Sequence, residues 1–141
     1  IHPYVCLGTV TSHESLADGR SLIRLEGQAI CSVHAEDHTR SYRVGELSVR
    51  DGRVMDPSAT ATRLSALWAD APNREEFGAV ELPDPPTVDA LDRCAFRYAA
   101  ALPLDTATRL QAVGLADVDR RLDYLVAAHK RSQHPPDPSL N

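Results

Sequence analysis

Residues 5–26 read Val-Cys-Leu-Gly-Thr-Val-Thr-Ser-His-Glu-Ser-Leu-Ala-Asp-Gly-Arg-Ser-Leu-Ile-Arg-Leu-Glu. Two runs of strand chemistry, 5–13 and 21–26, flank Leu16-Ala17-Asp18-Gly19-Arg20. Asp18-Gly19 supplies the positive-φ dipeptide that a tight hairpin needs. In the second run Ile23 and Leu25 alternate with Leu22, Arg24 and Glu26, which suits a sheet with one buried and one mostly solvated face. The hairpin is therefore the first element the chain specifies.

Working outward, Gly27 marks a bend or bulge after the second strand. Residues 29–34 predict a third strand, with Ala29, Cys31 and Val33 on one side. Across a polar loop at 35–40, residues 42–49 predict a fourth. That strand changes phase: Tyr42 and Val44 share one face, Leu47 and Val49 the other, so Gly45 is expected at a β-bulge that re-aims it. Bulges of this kind belong to curved, barrel-like sheets.

After Asp56-Pro57 the apolar period changes from two to about three and a half. Ala61, Leu64, Leu67, Trp68 and Ala71 form a helical stripe that Pro72 ends. Residues 72–86 read as an ordered connector rich in proline. Thr87 caps a helix carrying Val88, Leu91, Ala95, Tyr98 and Leu102, which Pro103 stops. Asp105 is placed to cap a short helix ending at Gly114, and Asp117 to cap the last one. In that last helix Val118, Leu122, Leu125, Val126 and His129 form the apolar face, with Arg120, Arg121 and Asp123 opposite. The expected division is a β portion over 1–56, a helical part over 57–134 and a flexible tail over 135–141.

Composition limits what this molecule can do. The chain has 141 residues, 43% hydrophobic and 25% charged, enough to bury a core without staples. Its net charge is −5, which lacks the footprint of nucleic-acid binding. No apolar run approaches the ~20 residues that span a bilayer, and no basic-then-apolar leader is present, so a soluble, cytoplasmic setting is expected. The chain begins Ile1-His2-Pro3, and is read as a fragment with its front missing. Three cysteines, Cys6, Cys31 and Cys94, are odd in number and widely spaced, which favours reduced, buried thiols.

Lys130 is the single lysine. It is followed by Arg131 with no glycine nearby, so a phosphate-cradling loop is excluded. At a frayed helix end it also lacks the desolvation a Ser–Lys protease dyad requires. Cys31, His34 and His38 have zinc-compatible chemistry but no evident fourth ligand. Glu75 and Glu76 are read as a solvated surface rather than an acid–base couple, and Trp68 and Tyr98 as core aromatics. No catalytic residue, metal ligand or cofactor is expected.

Val5-Cys6-Leu7-Gly8-Thr9-Val10, Asp18-Gly19-Arg20, Leu25-Glu26-Gly27 and Ser41-Tyr42-Arg43-Val44 occur in an order that resembles the Lon N-terminal substrate-binding domain family. Ala101-Leu102-Pro103-Leu104-Asp105 and Asp117-Val118-Asp119-Arg120-Arg121-Leu122 look like that family's closing segment. Ile30 departs from the pattern, standing where an arginine is common. The resemblance implies an α+β fold: a PUA-like β-barrel portion followed by a C-terminal helical bundle, with the N-terminal part of the barrel missing. Stand-alone bacterial members of the family are the form it points to.

The resemblance further implies a non-catalytic module that recognises unfolded or degron-bearing polypeptides, with an AAA+ protease as candidate partner, and no nucleic-acid or membrane partner. Leu64, Leu67 and Trp68 are the candidate polypeptide-binding residues, near a cleft expected between barrel and helices. Gly8, Asp18, Gly19, Gly27 and Gly45 are structural candidates. A PUA-like RNA-binding module is the alternative, motivated by the barrel and by Arg20, Arg24, Arg43 and Arg50.

Overall fold

A computed structural model describes residues 3–133. The expected tail at 135–141, with His134 before it, lies outside the described residues. The chain divides into two compact units, one ending at Asp51 and the other starting at Gly52. Gly52, Arg53 and Val54 thus go with the helices, a few residues ahead of the expected boundary at Pro57.

The first unit is a three-stranded antiparallel sheet in the order β1-β2-β3: β1 (Tyr4–Ser15), β2 (Ser21–Asp37) and β3 (Val44–Val49). Ser15 pairs with Ser21 at the top of the hairpin. The loop between them closes through Leu16 N–H to Arg20 O at 2.8 Å and Gly19 N–H to Leu16 O at 3.1 Å. Asp18 accepts from both the backbone N–H and the guanidinium of Arg20, at 3.1 and 2.8 Å. Gly19 has φ 82°, a region costly for any residue with a Cβ.

Two expectations about this sheet are corrected. The strands expected at 21–26 and 29–34 are one continuous β2, because Gly27 is accommodated inside it. Gly8 pairs with Gly27 and the register slips between Leu7 and Gly8, with a second slip between Val10 and Ser12. The irregularity expected at Gly45 lies on the other strand: Gly45 pairs with Glu36, and the shift falls between Val33 and Ala35 of β2. An extra residue in either partner re-aims a strand equally well, so the phase change in β3 does not say which strand bulges. Three strands do not close on themselves, and among the described residues the sheet is open.

The second unit contains α1 (Pro57–Ala69), α2 (Val88–Ala101), α3 (Thr106–Gly114), α4 (Val118–Gln133) and a 3-10 turn (Arg74–Phe77). The caps are those expected. Thr87 accepts from Ala90 N–H at 3.3 Å, Asp105 from Thr108 N–H at 2.8 Å and Asp117 from Arg120 N–H at 3.0 Å. Asp56 accepts from Ala59 N–H at 3.0 Å ahead of Pro57. Each side chain satisfies an amide that the helix leaves without a partner.

Leu64, Leu91, Ala95, Tyr98, Leu102, Val118, Leu122 and Leu125 form the core of this unit. Thr60 is buried among them because its hydroxyl donates to the Asp119 carboxylate at 2.9–3.0 Å, linking α1 to α4. Arg63 reinforces the link through Asp123 at 2.6 Å. Arg121 overturns the assignment of α4's faces. Expected on the solvent side, it is 0% exposed, and its place on the inner face is secured by polar partners rather than by hydrophobicity.

Candidate functional site

One face of the sheet carries a run of apolar residues across all three strands. Val5, Cys31 and Val49 are cross-strand partners, as are Leu7 with Ala29 and Val33 with Leu47. Alternation along each strand puts these seven on the same side. Cys31 is buried, yet Leu7, Leu47 and Val49 remain 44%, 42% and 58% exposed. Such a contiguous apolar face is a surface that something covers or binds.

On the opposite face His34 and Ser48 share a hydrogen bond of 2.7 Å, while His38 lies 3.4 Å from Glu36, the cross-strand partner of Gly45. Those partners keep the two histidines apart in role. Among the described residues no group of three His, Cys, Asp or Glu is placed to hold a metal. Cys6 is exposed, which corrects the expectation that all three thiols are buried. It pairs with Ile30, one position away from the Val5–Cys31 pair, so Cys6 and Cys31 fall on opposite faces of the sheet.

In the helical unit, Leu64 is completely buried, so this candidate binding residue belongs to the core and offers nothing to a ligand. Leu67 and Trp68 are half-buried and pack against that core. Trp68, with Ala69, Arg74, Glu75, Gly78 and Ala79, lines an open depression of about 450 Å³. The depression exists because the chain doubles back after α1. Asn73 N–H bonds to Ala101 O at 3.3 Å at the end of α2, and the Arg97 guanidinium donates to Ala79 O at 3.2 Å. Gly78, at φ 71°, makes the intervening turn. Spacing alone placed Trp68 on the core stripe; its indole lies at the stripe's edge and serves both core and surface.

Neither buried titratable group nearby is chemically primed. Burial pushes the Cys94 thiol up, outweighing the opposing pull of Arg97 and Arg93. Burial likewise raises Tyr98, against Arg63 and with Asp70. Both groups are held protonated, the reverse of an activated nucleophile or base. Among the described residues no helix is long and apolar enough to cross a membrane.

No protein-family model and no curated protein matches the sequence. Solved structures do. A Lon N-terminal domain protein from Xanthomonas campestris superposes with a TM-score of 0.55 at 23% identity, over 89% of this chain and 67% of that one. The N-terminal domain of a Mycobacterium avium complex Lon protease gives 0.58 at 18% identity, over 94% of this chain and 71% of that one. The fold is Lon N-terminal-domain-like. At these identities the likeness is one of fold, which among the described residues is mixed α+β with an antiparallel sheet and four helices. The site residues must carry any further argument.

Proposed function

We propose that this Lon-like domain is a non-catalytic recognition module that binds polypeptide, unfolded or degron-bearing, through apolar surface. The observation that carries the reading is the open depression beside Trp68, where a partly exposed indole stands at the edge of a rigid helical core on a fold shared with Lon N-terminal domains. An indole presents a large contact area at low entropic cost and tolerates many sequences. Leu67 supports it from the same helix. A permissive recogniser of this type binds near the micromolar range, about −8 kcal/mol. An AAA+ protease acting on the captured chain is the proposed partner.

We also propose that the apolar face of the sheet is the interior of a PUA-like barrel, covered by further chain that pairs along β1. Its support is the exposure of Leu7, Leu47 and Val49 together with the greater length of both solved neighbours. An open edge and an apolar face are liabilities that a closed barrel removes. Of the four arginines that motivate RNA binding, Arg20 is paired with Asp18 and Arg50 lies 6.0 Å over the Tyr4 ring.

The test is fluorescence anisotropy of a labelled, reduced and carboxamidomethylated neutral polypeptide. Micromolar affinity that is insensitive to salt and weakens about tenfold or more in Trp68→Ala supports the reading. Equal affinity in Trp68→Ala, or turnover of a small substrate by the purified protein, overturns it.

A further inference from the structure

A second cavity, of about 580 Å³, lies in the helical unit and is lined by Gly52, Arg53, Val54, Met55, Val88, Asp117 and Arg120. Arg53 and Arg120 are 67 positions apart in sequence and come together through a fixed backbone contact. Arg53 N–H donates to Ala116 O and Val118 N–H donates to Arg53 O, both at 2.9 Å. This two-bond bridge holds Arg53 parallel to the start of α4, one turn before Arg120.

The wall behind them is equally fixed. A Cβ on Gly52 would lie 2.9 Å from the Asp92 carboxyl carbon, and Asp92 is itself held by Arg121 at 2.7 Å.

The two arginines differ from their neighbours in what they touch. Arg63, Arg97, Arg109 and Arg121 spend their guanidinium groups on carboxylates or carbonyls of the fold. Among the described residues no carboxylate lies in ion-pair range of Arg53 or Arg120. The one acid lining the cavity, Asp117, caps α4 by accepting from the Arg120 backbone amide at 3.0 Å. Two unneutralised guanidinium groups thus converge on one concavity in a chain whose net charge is −5. Beside them are apolar groups: Val54, which also packs on the core, Val88, and Met55 at 95% exposure.

We infer that this cavity is a second binding site, for an acidic segment of polypeptide in which a carboxylate sits next to an apolar side chain. The guanidinium forks take the carboxylate by charge-assisted hydrogen bonds, and Val54, Val88 and the adaptable Met55 take its neighbour. A polypeptide matches this mixed lining better than a phosphate chain does, because it alternates charge with apolar bulk at the spacing of a single cavity. The inference rests on the reading of the domain as a polypeptide binder. It adds a preference for acidic sequence to a module whose Trp68 surface is lined by one charge of each sign, Arg74 and Glu75.

The experiment compares two fluorescein-labelled peptides, one with glutamates alternating with leucines between glycine–serine flanks, the other with glutamines in their place. The glutamate peptide should bind the 141-residue chain about tenfold tighter, with the advantage shrinking as salt is raised. Arg53→Gln/Arg120→Gln should abolish the difference, Arg53→Lys/Arg120→Lys should keep part of it, and Arg131→Gln should leave it whole. Both arginines are exposed, so the unfolding midpoint should not move. Equal binding of the two peptides, or an advantage that survives Arg53→Gln/Arg120→Gln, overturns the inference. So does tighter, Arg53- and Arg120-dependent binding of a single-stranded RNA oligonucleotide. On the unaltered chain, absence of the charge preference with the neutral polypeptide still bound sinks this site alone, and failure to bind the neutral polypeptide sinks the functional reading beneath it.

Discussion

Arg121 of α4 and Asp92 of α2 form an ion pair of 2.7 Å in which the guanidinium is wholly buried. The same guanidinium donates to Leu115 O through Nε at 3.1 Å and Nη2 at 2.5 Å, and lies 4.0 Å over the Phe96 ring. One side chain thereby ties α2, the α3–α4 connection and α4 together. A buried charge is tolerated when it is paired and its remaining donors are used.

Removing one partner of such a pair leaves the other charge stranded. Asp92→Ala should therefore cost about 3 kcal/mol or more, read as a lowered midpoint in urea unfolding. A loss under about 1 kcal/mol would mean that water or Leu115 O alone satisfies Arg121.

Gly52→Ala should also destabilise, by about 1–3 kcal/mol, because the new Cβ meets an Asp92 carboxylate that cannot move away from Arg121. In the Asp92→Ala background the carboxylate contacts are gone and only the 3.0 Å approach to the residue-92 Cβ remains, so the two losses should be partly sub-additive. Simple additivity in the double-mutant cycle would show that Gly52 answers to something else.

At the hairpin, nothing lies within 4 Å of a Cβ built on Gly19, so only its φ of 82° opposes substitution. Gly19→Val should cost about 1 kcal/mol or more through backbone strain. An unchanged unfolding midpoint would contradict the loop conformation.

Acid should remove a cap. The Thr108 backbone N–H, and after it the Thr108 hydroxyl, hold the Asp105 carboxyl below the usual carboxylate range. A folded-state pKa lowered in this way contributes stability above the ordinary Asp value of about 4 and loses it as the pH falls through the folded value. Asparagine caps without titrating. Asp105→Asn should accordingly lose less stability than the parent chain between neutral pH and strong acid, and identical pH profiles would contradict the assignment.

Local chemistry made the helical unit and the hairpin legible in the sequence. Thr87, Asp105 and Asp117 announce their helices because a cap is a property of a few adjacent residues, and Asp18-Gly19 announces its turn for the same reason. Arg121 was misplaced because polarity sends an arginine to the solvent face unless its partners are known. Those partners, Asp92 and Leu115 O, lie on other elements that no helical period reveals. Gly45 drew attention to the wrong strand since a register shift is a relation between two strands. Leu64 and Trp68 share one stripe, and spacing cannot tell its centre from its edge. Arg53 and Arg120 could not be paired from sequence at all, since only the bridge to Ala116 and Val118 brings them to one cavity.

The central claim is the proposal that this domain binds polypeptide at the surface beside Trp68. A titration of isotopically enriched protein with a neutral, unfolded polypeptide, followed amide by amide in heteronuclear NMR spectra, tests it most directly. The account predicts saturable shifts at Trp68, Ala69, Gly78 and Ala79, with a dissociation constant near the micromolar range, about −8 kcal/mol, and little dependence on salt. Saturating polypeptide that leaves those four amides unmoved would contradict it.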